Sequence, residues 1–326
     1  HWMNAGFSSY SIWWLLCHYE WYRYHGNKAY LEQSRDYITA LLRQLMTQIA
    51  PDGQECLDGT RFLDWPSNSN KDAIAAGLQA LMVWGMRVGV EFAELFEDRQ
   101  LSNDCKAAEK KLVKAASKVY KKFLASCPAP DAPGSKQVTA LMTITGLIDA
   151  PKADKEFLSI NGAQGFSTFY GYYMLEAMAA AGNFQGALDV IREYWGAMID
   201  LGATSFWEDF DINWIPNAAP IDELVPEGKK DIHGDCGAYC YVGFRHSLCH
   251  GWASGPTSWL SRHILGVEVI EPGCRQVRIT PHLGDLQWVK GTFPTPYGEL
   301  QIYHEKQANG NVISEVKAPK GVSVIK

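Results

Sequence analysis

Ala75-Ala76-Gly77-Leu78-Gln79-Ala80-Leu81 decides the fold. Small and apolar side chains occupy nearly every face of a 3.6-residue period there, the pattern of a helix packed on all sides. Met174-Leu175-Glu176-Ala177-Met178-Ala179 repeats it a hundred residues later. Outward from these, Ile12, Leu15, Leu16, Tyr19 and Tyr22 recur at spacings of three and four and stop at His25-Gly26-Asn27, a helix C-terminal signal. Tyr30, Tyr37, Ile38, Leu41, Leu42 and Leu45 form the face of a second helix ending before Pro51-Asp52-Gly53. Residues 71–98, 104–126, 135–149, 166–182 and 184–200 read the same way. Long helices joined by short turns are antiparallel neighbours, and such apolar ones are the inner members of a layered or toroidal array. No strand pattern interrupts them, which excludes a βαβ sheet. After Gly266 the period changes: residues 267–270, 276–279, 300–304 and 312–316 alternate between turns at Glu271-Pro272-Gly273, Asn309-Gly310 and Lys320-Gly321. Two domains are expected, a helical one over 1–266 and a small antiparallel β domain over 267–326.

The 326 residues are 47% hydrophobic and 20% charged, an ordinary globular composition. The net charge of −6 gives no electrostatic footprint for nucleic acid or an anionic membrane. No run approaches the roughly 20 apolar residues of a membrane span, and His1-Trp2-Met3-Asn4 does not read as a signal peptide, so a soluble protein is expected. Cytoplasm and periplasm both remain open. Eight scattered Cys in a chain this large read as free thiols rather than a disulfide framework. Twelve Trp, fifteen Tyr and thirteen Phe are the unusual feature.

Two long loops could use those rings. One carries Gly202-Ala203-Thr204-Ser205-Phe206-Trp207-Glu208-Asp209-Phe210-Asp211, where three carboxylates alternate with aromatics. Apolar surroundings raise a carboxyl pKa, and Trp207 or Phe210 could stack on a sugar face, while Glu208 suits one of the two carboxyls that glycoside hydrolysis needs. A solvated loop that caps helices would have the same residues. That loop is expected over residues 203–246, and at its end stands a second signal, Arg245-His246-Ser247-Leu248-Cys249-His250-Gly251-Trp252-Ala253. His246 and His250 would share a helix face, and zinc can be drawn with His233, Cys236 and Cys240, but the spacings match no standard site. Neither a metal nor a cofactor is expected. His250 reads more economically as a hydrogen bonder to a sugar hydroxyl or water, against a plain core histidine. The other loop carries Phe62-Leu63-Asp64-Trp65-Pro66, with Trp65 rigid and partly exposed or else simply core. Adjacent residues on a helix point apart, so at most one of Trp13 and Trp14 can face a cavity.

Together these segments resemble bacterial α-L-rhamnosidases of glycoside hydrolase family 78. The Gly-Ala-Thr-x-x-Trp-Glu run and the Ser-Leu-x-His run both match, at Glu208 and His250. Ser8-Ser9-Tyr10-Ser11-Ile12-Trp13-Trp14 and Leu63-Asp64-Trp65-Pro66 look like the family's aromatic subsite walls, and the resemblance extends into the β tail at Pro272-Gly273 and Thr295-Pro296-Tyr297-Gly298. It implies an (α/α)6 toroid followed by a small antiparallel β-sandwich, and inverting hydrolysis of terminal α-L-rhamnose from a glycoside or oligosaccharide. Glu208 is then the general base holding the water. Trp65 stacks on the deoxysugar, His250 meets a hydroxyl, and Tyr10, Trp13, Asp64 and Trp207 complete the substrate-binding set. The family's general acid precedes these segments, and nothing like it occurs here, so the toroid is expected to be N-terminally incomplete with the acid upstream of His1. The apolar faces such a chain would leave uncovered favour association, a homo-oligomer included. Two alternatives stay open. One is a carbohydrate-binding or degenerate module; the other is a different (α/α)6 glycosidase or lyase using Asp64, Asp209 or Asp211 as its acid.

Overall fold

The computed structural model describes residues 6–325, so the reading of His1-Trp2-Met3-Asn4 lies outside the described residues. The described residues are mainly helical, 51% helix against 13% strand, with a small sheet domain. It forms two compact units. The first comprises His1–Leu63, Asn70–Pro128 and Ser261–Lys326, and the second comprises Asp64–Ser69 and Ala129–Leu260.

In the first unit, α1 (Ser8–His25), α2 (Lys28–Gln33), α3 (Arg35–Thr47), α4 (Lys71–Leu95) and α5 (Arg99–Ser126) precede six strands. Side-chain oxygens at three N-termini satisfy otherwise orphaned N–H groups: Asn27 accepts from Tyr30 N, Asn70 from Ala73 N and Asp98 from Leu101 N. The cap at Asp98 starts α5 several residues before the expected position, because Ser102 and Asn103 sit inside the helix rather than in a turn. The second helix expected from the sequence is divided at Ser34, whose N–H turns back to Leu31 O at 2.9 Å. Although α4 has the length and composition of a membrane span, most of it is buried in this unit's core. Gln79, fully buried on α4, accepts from Glu55 N and donates to the carbonyls of Gly53 and Leu112, satisfying backbone groups of a loop and of α5.

The strands β3 (Val267–Glu271), β4 (Gln276–Ile279), β5 (Trp288–Thr295), β6 (Gly298–Lys306), β7 (Val312–Lys317) and β8 (Ser323–Ile325) make two three-stranded sheets, ordered β3-β4-β8 and β5-β6-β7. Pairing is antiparallel except between β4 and β8, which run parallel. Leu265, Val267, Val277, Phe293, Leu300 and Ile302 fill the core of this domain. Helix α1 holds it: Arg23 Nη2 donates to Val269 O at 2.7 Å. Gly26, left-handed at φ 68°, leaves no room for a side chain against the Gly273 backbone.

The second unit contains α6 (Ser135–Ile144), α7 (Ala150–Ala153) running into a π-turn over Asp154–Leu158, α8 (Gly171–Ala180), α9 (Phe184–Asp200) and α10 (Gly255–Trp259). Nearly all of α6 is buried, and α8 packs on it. Helix α8 starts at Gly171 rather than near 166, so residues 159–170 form turns instead of the first helical turn expected there. The loop over 201–254 closes back on the helices through two buried indoles. Trp195 Nε1 donates to Ala253 O at 2.9 Å, and Trp259 Nε1 to Leu175 O at 3.0 Å. Gly255 lies so close to α8 that an added Cβ would stand 2.5 Å from Tyr172 Cβ and 3.2 Å from its Cα. Gly255→Ala should therefore destabilise the protein by about 1–3 kcal/mol. Urea denaturation checks this, and an unchanged midpoint would mean that α8 and α10 are not in contact.

Candidate active site

The 201–254 loop has little regular structure of its own: two two-residue strands, β1 (Ala218–Ala219) and β2 (Lys230–Asp231), and three short 3-10 turns. Its shape depends on hydrogen bonds between its own distant parts. Glu208 N donates to Ser247 O at 2.9 Å, Ser247 N donates back to Glu208 Oε2 at 3.1 Å, and His250 N donates to Phe206 O at 2.7 Å. These ties bring the Trp-Glu and Ser-Leu-Cys-His segments together. The Glu208 side chain is 13% exposed and that of His250 36%, with His250 Nε2 lying 3.6 Å from Glu208 Oε1. Two atoms at that separation can share one water about 2.8 Å from each. His250 Nδ1 accepts from Trp252 N at 3.4 Å, which leaves Nε2 directed to the carboxylate.

A row of rings runs alongside. Tyr239 stacks on Trp65 at 5.8 Å and 22°, and Tyr241 meets the edge of Trp65 at 5.7 Å. Tyr241 also lies 6.3 Å from Trp252, which lies 4.3 Å from His250. Trp65 is half-buried and Tyr239 exposed, so the row presents ring surface at one end and Glu208 with His250 at the other. Trp65 is set by a capping box: Asp64 Oδ1 accepts from Trp65 N at 2.9 Å, while Ser67 Oγ bonds both the N–H and the carbonyl of Asp64.

Several expected site residues lie elsewhere. Trp207 is fully buried, its ring against Phe210, so it offers no face to a sugar, and the stacking role expected for it is corrected. Phe210 is buried too, against Tyr194 and Trp214. Asp64 is buried, and its carboxylate is taken up by Trp65 N, Gln137 Nε2 (3.2 Å) and Ser167 Oγ (2.6 Å); it shapes the turn and has no oxygen free for a ligand. Trp13 and Tyr10 belong to the other unit. Trp13 is buried edge-on to Trp84, correcting its expected role as an exposed wall, and Tyr10 is half-buried and stacked on Phe62. Asp211 accepts from Asn213 N and caps a 3-10 turn, as a loop carboxylate commonly does. His246 and His250 do not share a helix face, because residues 246–250 are irregular. His246 is buried with Nε2 2.9 Å from Asp209 O. Among the described residues no three His, Cys, Asp or Glu converge as a metal site. Sequence reasoning passed over Ser167, Thr168 and Tyr239, which lacked any distinguishing pattern.

Two carboxyls behind the site titrate late. Burial pushes Asp64 up to about 6 despite its three donors, and burial likewise pushes Asp209 up to about 6, with Asp64 adding repulsion. An unfolded carboxyl titrates near 3.9, so from about pH 4 to pH 6 the folded chain binds more protons than the unfolded one. The stability from these groups is complete below about pH 4 and is lost as pH rises through about 6. Asp64→Asn should remove one share, roughly 2–3 kcal/mol, of the decline in unfolding free energy over that window. Urea titrations at about pH 3.5 and pH 7 measure it, and an identical decline in the variant would contradict the assignment.

Residues 266–325 match the family model described as bacterial alpha-L-rhamnosidase C-terminal domain. A sequence comparison with curated proteins finds no match. Among solved structures the chain is similar to a family 78 rhamnosidase from Bacillus sp. GL1. Identity is 21% and the TM-score 0.71, over 96% of this chain and 32% of that one. It is also similar to an α-L-rhamnosidase from Dictyoglumus thermophilum (18% identity, TM-score 0.69, 97% of this chain and 34% of that one). A third is the Streptomyces avermitilis α-L-rhamnosidase complexed with L-rhamnose (18% identity, TM-score 0.64, 93% of this chain and 28% of that one). The chain thus spans about a third of the length of each. Residues 266–325 thus match the model of a bacterial α-L-rhamnosidase C-terminal domain, and the chain as a whole has the fold of about a third of each of these α-L-rhamnosidases.

Proposed function

We propose that this chain is the base-bearing part of an inverting glycoside hydrolase that releases terminal α-L-rhamnose, with Glu208 as the general base. The observation that carries the reading is the pairing of Glu208 with His250 at the end of a ring row. Ser247 N–H occupies Oε2 and so orients the carboxylate, while Oε1 and His250 Nε2 together can hold a single water. Inversion needs such a water on the face of the sugar opposite the leaving oxygen, and a second carboxyl about 6.5–9.5 Å away to protonate that oxygen. Trp65, half-buried between Tyr239 and Tyr241, is suited to the apolar side of a 6-deoxy sugar, whose methyl group lacks a hydroxyl to solvate.

The protonating acid is proposed to come from outside this chain. Within this chain Asp64 is closed off by three donors, and Asp209 Oδ2 accepts from Ala238 N while its backbone meets His246. Both are turned to structural work. In this reading residues 1–266 contribute part of the catalytic barrel and residues 267–326 a supporting β domain. The Streptomyces avermitilis α-L-rhamnosidase, complexed with L-rhamnose, supports the substrate class.

In the natural protein containing this chain, Glu208→Gln should lower kcat on an aryl α-L-rhamnoside about 10³-fold while rhamnose binding stays within a few-fold. Full turnover by the variant would overturn the base assignment. Rhamnose binding by the unaltered protein without any turnover would instead favour a binding module.

A further inference from the structure

Two consecutive hydroxyls, Ser167 and Thr168, reach different walls of the candidate site. Ser167 Oγ donates to Asp64 Oδ2 at 2.6 Å, and Thr168 Oγ1 donates to the Glu208 carbonyl at 2.6 Å. Both side chains are buried; the Ser167–Asp64 bond is fully shielded from water and the Thr168–Glu208 bond partly so. The Glu208 carbonyl also accepts from Trp252 Nε1 at 2.7 Å. With both lone pairs of that oxygen engaged, the peptide plane after Glu208 cannot rotate without losing one of these partly shielded bonds, and the carboxylate's origin is fixed with it. On the other side Ser167 helps hold the carboxylate whose second oxygen caps the Trp65 turn.

The segment bearing the two hydroxyls is itself staked down. Lys136 Nζ, on a buried stem, donates to Ile160 O at 2.9 Å and Gly162 O at 2.7 Å, and lies 5.1 Å over the Phe166 ring. Glu193 Oε2 accepts from Ala163 N at 2.9 Å. Ser167 Oγ in turn accepts from Tyr170 N at 3.3 Å, tying the pair to the start of α8. A rigid ruler therefore stands behind two otherwise irregular loops.

We propose that Ser167 and Thr168 are a positioning pair that sets the placement of the Trp65 turn and of Glu208 independently, Ser167 governing the sugar platform and Thr168 the base. This rests on Glu208 being the base. It makes an asymmetric prediction, because a misplaced base costs turnover whereas a misplaced platform costs binding shared by ground and transition states.

The test is steady-state kinetics on an aryl α-L-rhamnoside with the natural protein containing this chain. Thr168→Val, which keeps shape and removes the hydroxyl, should lower kcat about tenfold or more with KM within twofold, and Thr168→Ser should restore kcat. Ser167→Ala should raise KM about fivefold with kcat within twofold. Should the valine variant not fold, Trp252→Phe removes the other donor to the same carbonyl and should lower kcat in the same way. Equal changes in kcat and KM for both positions, or kinetics like the parent, overturn the pairing while leaving Glu208 as the base. Unimpaired turnover by Glu208→Gln removes the base itself, and the inference with it.

Discussion

Everything at the candidate site depends on how an irregular loop is prevented from moving. Between α9 and α10 the chain runs from 201 to 254 with scarcely any ladder hydrogen bonds, and Glu208 sits near its start. The mutual bonds between Glu208 and Ser247 close this loop on itself, and donors from Thr168 and Trp252 fix the Glu208 carbonyl. In the proposed role of general base Glu208 would need a defined distance to its water, and these backbone restraints would then matter as much as the carboxylate. The scaffold beneath explains why the restraints hold: α6 is almost wholly buried, and indoles from α9 and α10 bind carbonyls of the loop and of α8.

The acidic residues of the loop illustrate how environment divides like groups into unlike roles. Glu208 keeps contact with solvent beside His250, Asp209 is drawn inward to Ala238 N and Asp211 caps a turn. Asp64 follows the same logic in the neighbouring turn, where burial and three donors pull its pKa in opposite directions and burial wins. A carboxyl raised to about 6 in this way is a cost of building the Trp65 turn around a buried anion. It need not mark the chemistry.

Much of the helical core was legible because caps and periodicity act locally. Asn70, Asp98 and Asn183 all cap as their side chains allow, and the apolar runs at 75–81 and 174–179 lie inside buried helices. The change of period after Gly266 corresponds to the two small sheets, though one parallel pairing between distant strands had no local signal. Depth within a loop was not legible. Trp207 and Glu208 are adjacent, and only long-range bonds to Ser247 and Thr168 decide which of them turns inward. Ser167 and Thr168 were invisible for a related reason. They are ordinary small residues in a stretch whose pattern suggested a helix, and their importance arises from partners 40 and 103 positions away.

In the proposed mechanism Glu208 directs water to the side of the anomeric carbon opposite the leaving group. Proton NMR of the reaction mixture in its first minutes, with the natural protein and an aryl α-L-rhamnoside, reads this directly. A β-anomeric signal of free L-rhamnose appearing first, before mutarotation, is the predicted result. Initial release of the α anomer would contradict it, since retention requires a covalent intermediate in place of a base-held water.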